Sequence, residues 1–155
     1  PYRKDERERV KRAGARVLTM GQIEGSAPLH EDWGDLKLGD ELDEDGDPPR
    51  VWSKTENYPG TAFTRSFGDS EAEKLGVFAE PEIDVRTITP NDKFICIASD
   101  GVFEFLTNQA VVDIVKRYQD PLEANRVVVQ EAYQAWLDLE VRTDDITMIC
   151  VFLSG

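Results

Sequence analysis

The sequence predicts an α+β fold built from layers of helices and strands, and three observations support this. Apolar runs typical of strands follow one another in the middle of the chain, with only a short helix between them. Two amphipathic helices come after these strands rather than alternating with them, which argues against a doubly wound sheet. The chain has 155 residues, 40% of them hydrophobic, which suffices for the core of one domain or a large part of one.

The first element is a charged helix predicted over residues 4–13, ended by Gly14. Val10 and Ala13 are expected to face inward. The basic residues from Arg3 to Arg12 are interleaved with acidic ones, a pattern typical of a solvated helix face with intrahelical ion pairs. A strand is predicted over residues 15–20.

The charge balance excludes some partners. Asp and Glu total 31 against 18 Lys and Arg, a net charge of −13, so nucleic acid would be repelled. No segment has the apolar length that a membrane span needs, and we expect no signal peptide. We therefore expect a soluble intracellular protein, in the cytoplasm or the nucleus.

Cys96 and Cys150 lie in apolar runs and are expected to be buried free thiols, although the sequence leaves open whether they form a disulfide.

An acidic stretch interrupts the fold between Glu31 and Asp47, with nine acidic residues and one Lys. Such a composition predicts a surface excursion, which Trp33, Trp52 and Tyr58 could tether. A calcium loop starting at residue 41 is rejected, because its first ligand would be Glu and its twelfth position is Trp rather than a carboxylate. The one histidine, His30, lies here, so a histidine-based mechanism has little support.

The remaining elements follow from local patterns. A helix over residues 70–75 is expected to end at Gly76, and one over residues 108–118 to bury Val111, Val112 and Val115. Asp120-Pro121 opens a long helix that reaches residue 139, whose stripe at residues 127, 128, 132, 135 and 136 is expected to be core. Strands are predicted at residues 60–67, 77–79, 84–88, 94–98 and 146–153, with the last two buried on both faces.

Two aspartates stand at strand ends. Asp100 follows the strand at 94–98, and Asp144 precedes the strand at 146–153. If the strands are antiparallel neighbours, both carboxylates reach the same edge of the sheet. Carboxylates with water suit Mg²⁺ or Mn²⁺ better than Zn²⁺. A turn or helix cap is the competing interpretation of Asp100.

Five stretches of the sequence form recognisable motifs: residues 6–14, 61–69, 80–83, 97–109 and 143–147. They resemble, in order and over nearly the whole chain outside the acidic excursion, the motifs of the metal-dependent protein phosphatases, the protein phosphatase 2C family. Thr64 stands in place of Ser in the family's Ser-Arg-x-x-Gly-Asp segment. The acidic excursion looks closest to plant and protist members, some of which carry cyclic-nucleotide-binding and kinase domains.

The resemblance implies a four-layer α-β-β-α antiparallel β-sandwich flanked by helices, with a dinuclear Mg²⁺ or Mn²⁺ centre. It implies hydrolysis of phosphoserine and phosphothreonine in protein substrates by a metal-bridging hydroxide. By motif position, Asp100 and Asp144 would be metal ligands. Asp145 stands where the family has Asn and would support the site or cap a turn, and Glu104 would support the metal loop. Residues 21–60 would include the flap beside the site.

The family's Asp-Gly-His-Gly motif, with its metal-bridging Asp, does not occur in this sequence, and neither do its phosphate-binding Arg and another acidic ligand. We therefore expect residues 1–155 to be the C-terminal portion of one catalytic domain, whose partner is the N-terminal half and which is inactive without it. Arg65 is expected to pair with Asp69 or another carboxylate rather than to bind phosphate. The alternatives are a pseudo-phosphatase or regulatory module, and an interaction module whose acidic loop recruits a basic partner.

Overall fold

The computed structural model describes residues 1–37 and 47–153. The chain divides into two compact units, Pro1–Asp84 and Val85–Gly155. Each unit combines helices with an antiparallel sheet, which confirms the predicted α+β class. Within the described ranges, no helix combines the length and apolar character that a membrane crossing requires.

The first unit is built on a three-stranded antiparallel sheet in the order β1-β2-β3. In its register, Val17 lies opposite Val51, and Val51 lies opposite Thr61. Three helices accompany the sheet. The elements are α1 (Lys4–Arg12), β1 (Arg16–Leu18), α2 (Met20–Glu24), β2 (Arg50–Trp52), β3 (Pro59–Thr61) and α3 (Ser70–Glu73).

Helix α1 is confirmed, and its ends follow the expected chemistry. Acidic residues occupy its first turn and basic residues its last, as the helix dipole favours. Gly14 ends it at φ +98°, a left-handed conformation that favours glycine. Val10 is fully buried as predicted, but Ala13 is exposed, because Gly14 follows it and the chain leaves the helix there.

The core of the first unit brings α1, the sheet and α3 together through small aliphatic side chains and one indole. Trp33 is buried in this core and so ties the start of the acidic stretch to the body, as predicted. Trp52 is buried in β2, whereas Tyr58 is exposed, so the expected tether by its side chain was wrong. Residues 38–46, which contain the first six positions of the rejected calcium loop, lie outside the described residues. The buried core residues are Val10, Ala15, Val17, Trp33, Val51, Ala72 and Val77.

Three strand predictions in this part of the chain were wrong or too long. Strand β1 stops at Leu18 because a capping box formed by Thr19 and Gln22 starts α2. The strand predicted at residues 60–67 is only Pro59–Thr61, and residues 77–79 contribute a single bridge, from Phe78 to Arg65. Side-chain patterns alone cannot supply the partner backbone that a strand requires.

The second unit pairs a two-stranded antiparallel sheet with helices. The register runs from Phe94 opposite Phe152 to Ala98 opposite Met148. The elements are β4 (Phe94–Ala98), α4 (Asp100–Phe103), α5 (Asn108–Val115), α6 (Pro121–Leu139) and β5 (Met148–Phe152).

One face of this sheet packs on α5 and α6, and the other is open, which corrects the prediction that both strands are buried on both faces. Within the second unit, the side chains of the open face are between 44% and 60% exposed. An apolar run cannot by itself distinguish one covered face from two. The open face consists of Ile95, Ile97, Ile149 and Val151.

The helices of the second unit begin where their caps predict. The Thr107 hydroxyl accepts the Ala110 N–H at 3.1 Å, and the Asp120 carboxylate accepts the Leu122 N–H at 2.9 Å, just before Pro121. On α5, Val111 and Val115 are buried but Val112 is exposed, because it lies to one side of the buried stripe.

Helix α6 buries a narrower stripe than predicted, through Ala124, Val128 and Ala132. The other predicted stripe residues, at positions 127, 135 and 136, are half-buried. Residues 84–88 form no strand, because no described segment pairs with their backbone, and Val85 and Ile88 are exposed.

Candidate functional site

The candidate metal site lies at the end of the sheet where β4 ends and β5 begins. Asp100 is the first residue of α4, directly after β4, and Asp144 lies shortly before β5. The antiparallel pairing required by the sequence argument is present, since Ala98 lies opposite Met148. The segments that carry the two aspartates therefore approach each other at one end of the sheet.

Ser99 holds these two segments together. Its backbone N–H donates to the Thr147 carbonyl at 2.9 Å, and its hydroxyl oxygen accepts the Thr147 N–H at 3.1 Å. The same hydroxyl donates to the Asp145 carbonyl at 3.0 Å. These three bonds fix the loop before β5 against the end of β4.

Gly101 allows this close approach. A Cβ placed on it would lie 2.4 Å from the Asp145 carbonyl oxygen, which is closer than real contacts allow. The Trp136 indole N–H of α6 donates to the Gly101 carbonyl at 2.8 Å, and its ring packs edge-on against Phe105. Sequence analysis assigned Trp136 to the helix core and missed this anchor, for which a Trp near the end of an amphipathic helix was the available signal.

Both candidate carboxylates are exposed. The Asp100 carboxylate accepts the Gly101 N–H at 3.1 Å, and the Asp144 carboxylate accepts the Asp145 N–H at 2.8 Å. Each aspartate thus bonds to the N–H of the residue that follows it. Asp100 is the first residue inside α4 and Ser99 precedes the helix as its N-cap, so Asp100 does not cap the helix as the competing interpretation expected. One oxygen engaged in this way leaves the other available to a cation.

Two carboxylates at one sheet end do not make a complete metal centre. Among the residues that the structure describes, no three His, Cys, Asp or Glu side chains come together where they could hold a metal ion. The donor set suits a hard cation such as Mg²⁺ or Mn²⁺ in chemistry, but further ligands are needed to hold one tightly.

The first unit contains a buried charge cluster that sequence analysis missed. Glu6 was predicted to lie on a solvated helix face, but it is only 5% exposed. Its carboxylate accepts the Thr64 hydroxyl at 2.7 Å, Arg9 at 2.6 Å and Arg65 at 2.8 Å. The spacing of Glu6 and Arg9 was a signal for an ion pair, but nothing local indicated that residues 64 and 65 would close over it.

The electrostatics of this cluster depend on its arginines. Burial by itself would raise the pKa of Glu6, but the hydrogen bonds from Arg65, Arg9 and Thr64 outweigh it and hold that pKa well below its usual range. Arg65 also lies 3.5 Å from Glu82, which is bonded in turn to Arg3. Arg65 is therefore paired with a carboxylate, as predicted, although with Glu6 rather than Asp69.

Arg7 corrects the solvated-face prediction a second time. It is buried, donates to the carbonyls of Tyr2 and Gly34, and lies 5.6 Å from the Trp33 ring. Its cation satisfies backbone acceptors and packs on an aromatic face rather than facing water.

Comparisons with known proteins support the resemblance in sequence and in fold. "Probable protein phosphatase 2C 35" of Arabidopsis thaliana is 53% identical over 152 residues, which are 97% of this chain and 42% of that protein. "Probable protein phosphatase 2C 52" of the same plant is 35% identical over 97% of this chain and 28% of its own length. The chain thus spans less than half the length of these relatives.

Solved structures agree in fold. The serine-threonine phosphatase 2C from Toxoplasma gondii matches with a TM-score of 0.69 at 16% identity, over 96% of this chain and 43% of that one. A C. elegans sex-determining protein matches with a TM-score of 0.60 at 19% identity, over 96% of this chain and 29% of that one. The sequence model described as "Protein phosphatase 2C" matches residues 1–136. The chain therefore belongs to the protein phosphatase 2C family.

Proposed function

We propose that this chain is part of the catalytic domain of a metal-dependent protein serine/threonine phosphatase. The observation that carries the proposal is the antiparallel pairing of β4 with β5, which brings the segments of Asp100 and Asp144 to one end of the sheet. Family membership supplies the reaction class, hydrolysis of phosphoserine and phosphothreonine in protein substrates. The activity belongs to the whole protein of which this chain forms a part.

Asp100 and Asp144 would each offer a carboxylate oxygen to Mg²⁺ or Mn²⁺, in a centre of two cations completed by ligands from other parts of the domain. When bound, the cations would supply Lewis-acid chemistry, in which a hydroxide attacks phosphorus. The contribution of this chain is to hold the ligands in place. The Ser99 bonds to Thr147 and Asp145, with the anchor of Trp136 on Gly101, keep the two segments in register.

The remaining expectations stand as parts of this proposal. Residues 1–155 would form the C-terminal portion of one catalytic domain, with the flap and acidic excursion at residues 21–60. The open apolar face of β4 and β5 supports this, because contiguous exposed apolar patches mark surfaces that pack against another part of a protein or a partner. Since the described residues supply two carboxylates and no third ligand, the chain by itself would have no phosphatase activity.

The test is hydrolysis of a phosphothreonine peptide by the full-length protein, with Mn²⁺ or with EDTA. Asp100→Asn and Asp144→Asn should each lower the metal-dependent rate by at least about a hundredfold, more than the loss typical of residues that only orient ligands. Asp138→Asn is the matched control, because Asp138 is exposed on α6 and bonds only to Gln134 among the described contacts. Its activity should equal that of the unaltered protein.

The outcomes separate the alternatives. No turnover by a folded full-length protein would favour the pseudo-phosphatase interpretation. Normal turnover in both aspartate variants would refute the ligand assignment while leaving the phosphatase activity intact. Metal-dependent turnover by the 155-residue chain would overturn the proposed need for the rest of the domain.

A further inference from the structure

The two cysteines of the chain face each other across the sheet of the second unit. Cys96 of β4 lies directly opposite Cys150 of β5 in the register. Their Sγ atoms are 3.7 Å apart, and both thiols are free. Sequence analysis left the possibility of a disulfide open, and the proximity of the two sulfurs was not visible in the sequence.

The hydrogen-bonding pattern between β4 and β5 places Cys96 and Cys150 at a position in the sheet where a disulfide can form. The Leu153 N–H donates to the Lys93 carbonyl, and the Ser99 N–H donates to the Thr147 carbonyl. Hydrogen-bonded pairs alternate along an antiparallel ladder, so Cys96 and Cys150 form a non-hydrogen-bonded pair, with Cα atoms about 4.5 Å apart. That separation lies within the range of about 4.4–6.8 Å that disulfides span. Rotation of the side chains can therefore close the bond with little movement of the backbone.

The surroundings determine how such a bond would form. Cys150 is 8% exposed, within the core of β5, α5 and α6, whereas Cys96 is half-buried at its margin. Burial, helped by the neighbouring Cys150 sulfur, raises the pKa of Cys96 to about 12. Because Cys150 is buried and Cys96 is half-buried, only a small oxidant reaches the pair. Thiolate is scarce at neutral pH, so the reaction is slow there and becomes faster as pH rises.

We propose that Cys96 and Cys150 are a site of reversible oxidation, at which a peroxide links β4 to β5 through an intramolecular disulfide. The Cys96 thiolate attacks one oxygen of the peroxide, which cleaves the O–O bond and gives a sulfenic acid and a hydroxide; the hydroxide takes up the proton that the Cys96 thiol released and becomes water. The Cys150 sulfur then attacks the Cys96 sulfur, the S–O bond breaks, and the departing hydroxide takes the Cys150 thiol proton and leaves as a second water. Two thiols and one hydrogen peroxide thus become one disulfide and two waters, and a dithiol reductant reverses the change.

The link would act on the strand pair that carries the candidate metal ligands. Cys96 precedes Asp100 by four residues and Cys150 follows Asp144 by six, so the disulfide fixes the same two segments that Ser99 holds by hydrogen bonds. Because it closes a loop across a separation of 54 residues, the link constrains the unfolded chain and makes the oxidised protein harder to unfold.

The experiment treats the intact native protein with hydrogen peroxide, blocks free thiols with N-ethylmaleimide and maps the peptides by mass spectrometry. We expect a cross-linked peptide pair containing Cys96 and Cys150, which disappears after dithiothreitol. The urea midpoint should rise on oxidation and return on reduction. Cys96→Ala and Cys150→Ala should lose both effects, and dimedone should capture the sulfenic acid of Cys96 in Cys150→Ala.

Three results would overturn the proposal. Both thiols could remain fully alkylated after peroxide treatment of the folded protein. The disulfide could form only in urea, which would show that the folded strands do not permit it. The linked peptides could come only from two different molecules, which separation under non-reducing conditions would reveal. The urea midpoint of the unaltered protein, measured before and after oxidation, tests the proposal even where a cysteine variant fails to fold.

Discussion

Replacing Glu6 by Gln should destabilise the first unit strongly, because it removes the one buried carboxylate that Arg9, Arg65 and Thr64 share. Gln keeps the size of the side chain but carries no charge, and its amide group presents N–H donors to guanidinium donors. Arg9 and Arg65 would then lose the buried counter-charge that they share, and Arg65 would retain its longer contact with Glu82, at 3.5 Å.

The size of the effect follows from burial. Removing one partner of a fully buried ion pair typically costs about 3–5 kcal/mol. The side chains of Arg9 and Arg65 are 22% and 27% exposed, so water recovers part of that cost. We therefore expect a loss of about 2–3 kcal/mol in the free energy of unfolding, which corresponds to about 1–2 M in the urea midpoint.

Tryptophan fluorescence is a suitable assay, because two of the three tryptophans, Trp33 and Trp52, are buried in the first unit. Glu8→Gln is the matched control on the same helix. Glu8 is 55% exposed and lies 3.9 Å from Arg12, so its loss should cost less than about 0.5 kcal/mol. Equal midpoint shifts in the two variants would refute the argument that the buried cluster stabilises this unit.

The remaining predictions concern pH, packing and a helix cap. Although burial raises the pKa of Glu6, the arginines hold that pKa below its usual range, so the stability that Glu6 contributes is complete above about pH 5 and is lost as pH falls. The difference in urea midpoint between the unaltered chain and Glu6→Gln should therefore shrink below about pH 4. A difference that stays constant with pH would contradict this. Gly101→Ala should lower the free energy of unfolding in urea by about 1–3 kcal/mol, because the added methyl group would displace the Asp145 carbonyl. The same displacement should weaken Mn²⁺ binding by the full-length protein. Unchanged stability would show that the segments around Gly101 and Asp145 are not in tight contact. Asp120→Ala should lower the free energy of unfolding by about 1 kcal/mol, because the Leu122 N–H loses its acceptor. Thermal unfolding followed by circular dichroism would detect this loss, and an unchanged midpoint temperature would show that the cap does not stabilise the helix.

The local features of the fold were predictable from the sequence. Gly14, Thr107 and Asp120 mark helix ends through bonds to residues at most four positions away, so a single window of sequence contains both partners. The candidate site was predictable in the same limited sense. Asp100 and Asp144 each stand beside a strong apolar run, and antiparallel pairing of those runs was enough to bring their segments together.

The sequence by itself therefore determined the class of fold, the starts of the four helices it predicted and the two strand-end aspartates, but not α2, α4 or the ends of α3 and α5. Tertiary structure alone decided that Glu6 is buried under Arg65, that one face of β4 and β5 is open, and that Cys96 meets Cys150. Each of these depends on backbone segments more than fifty positions apart or on which surface a neighbouring element covers. Burial and pairing at such distances are set by how the whole unit packs, and no local pattern of residue types encodes them.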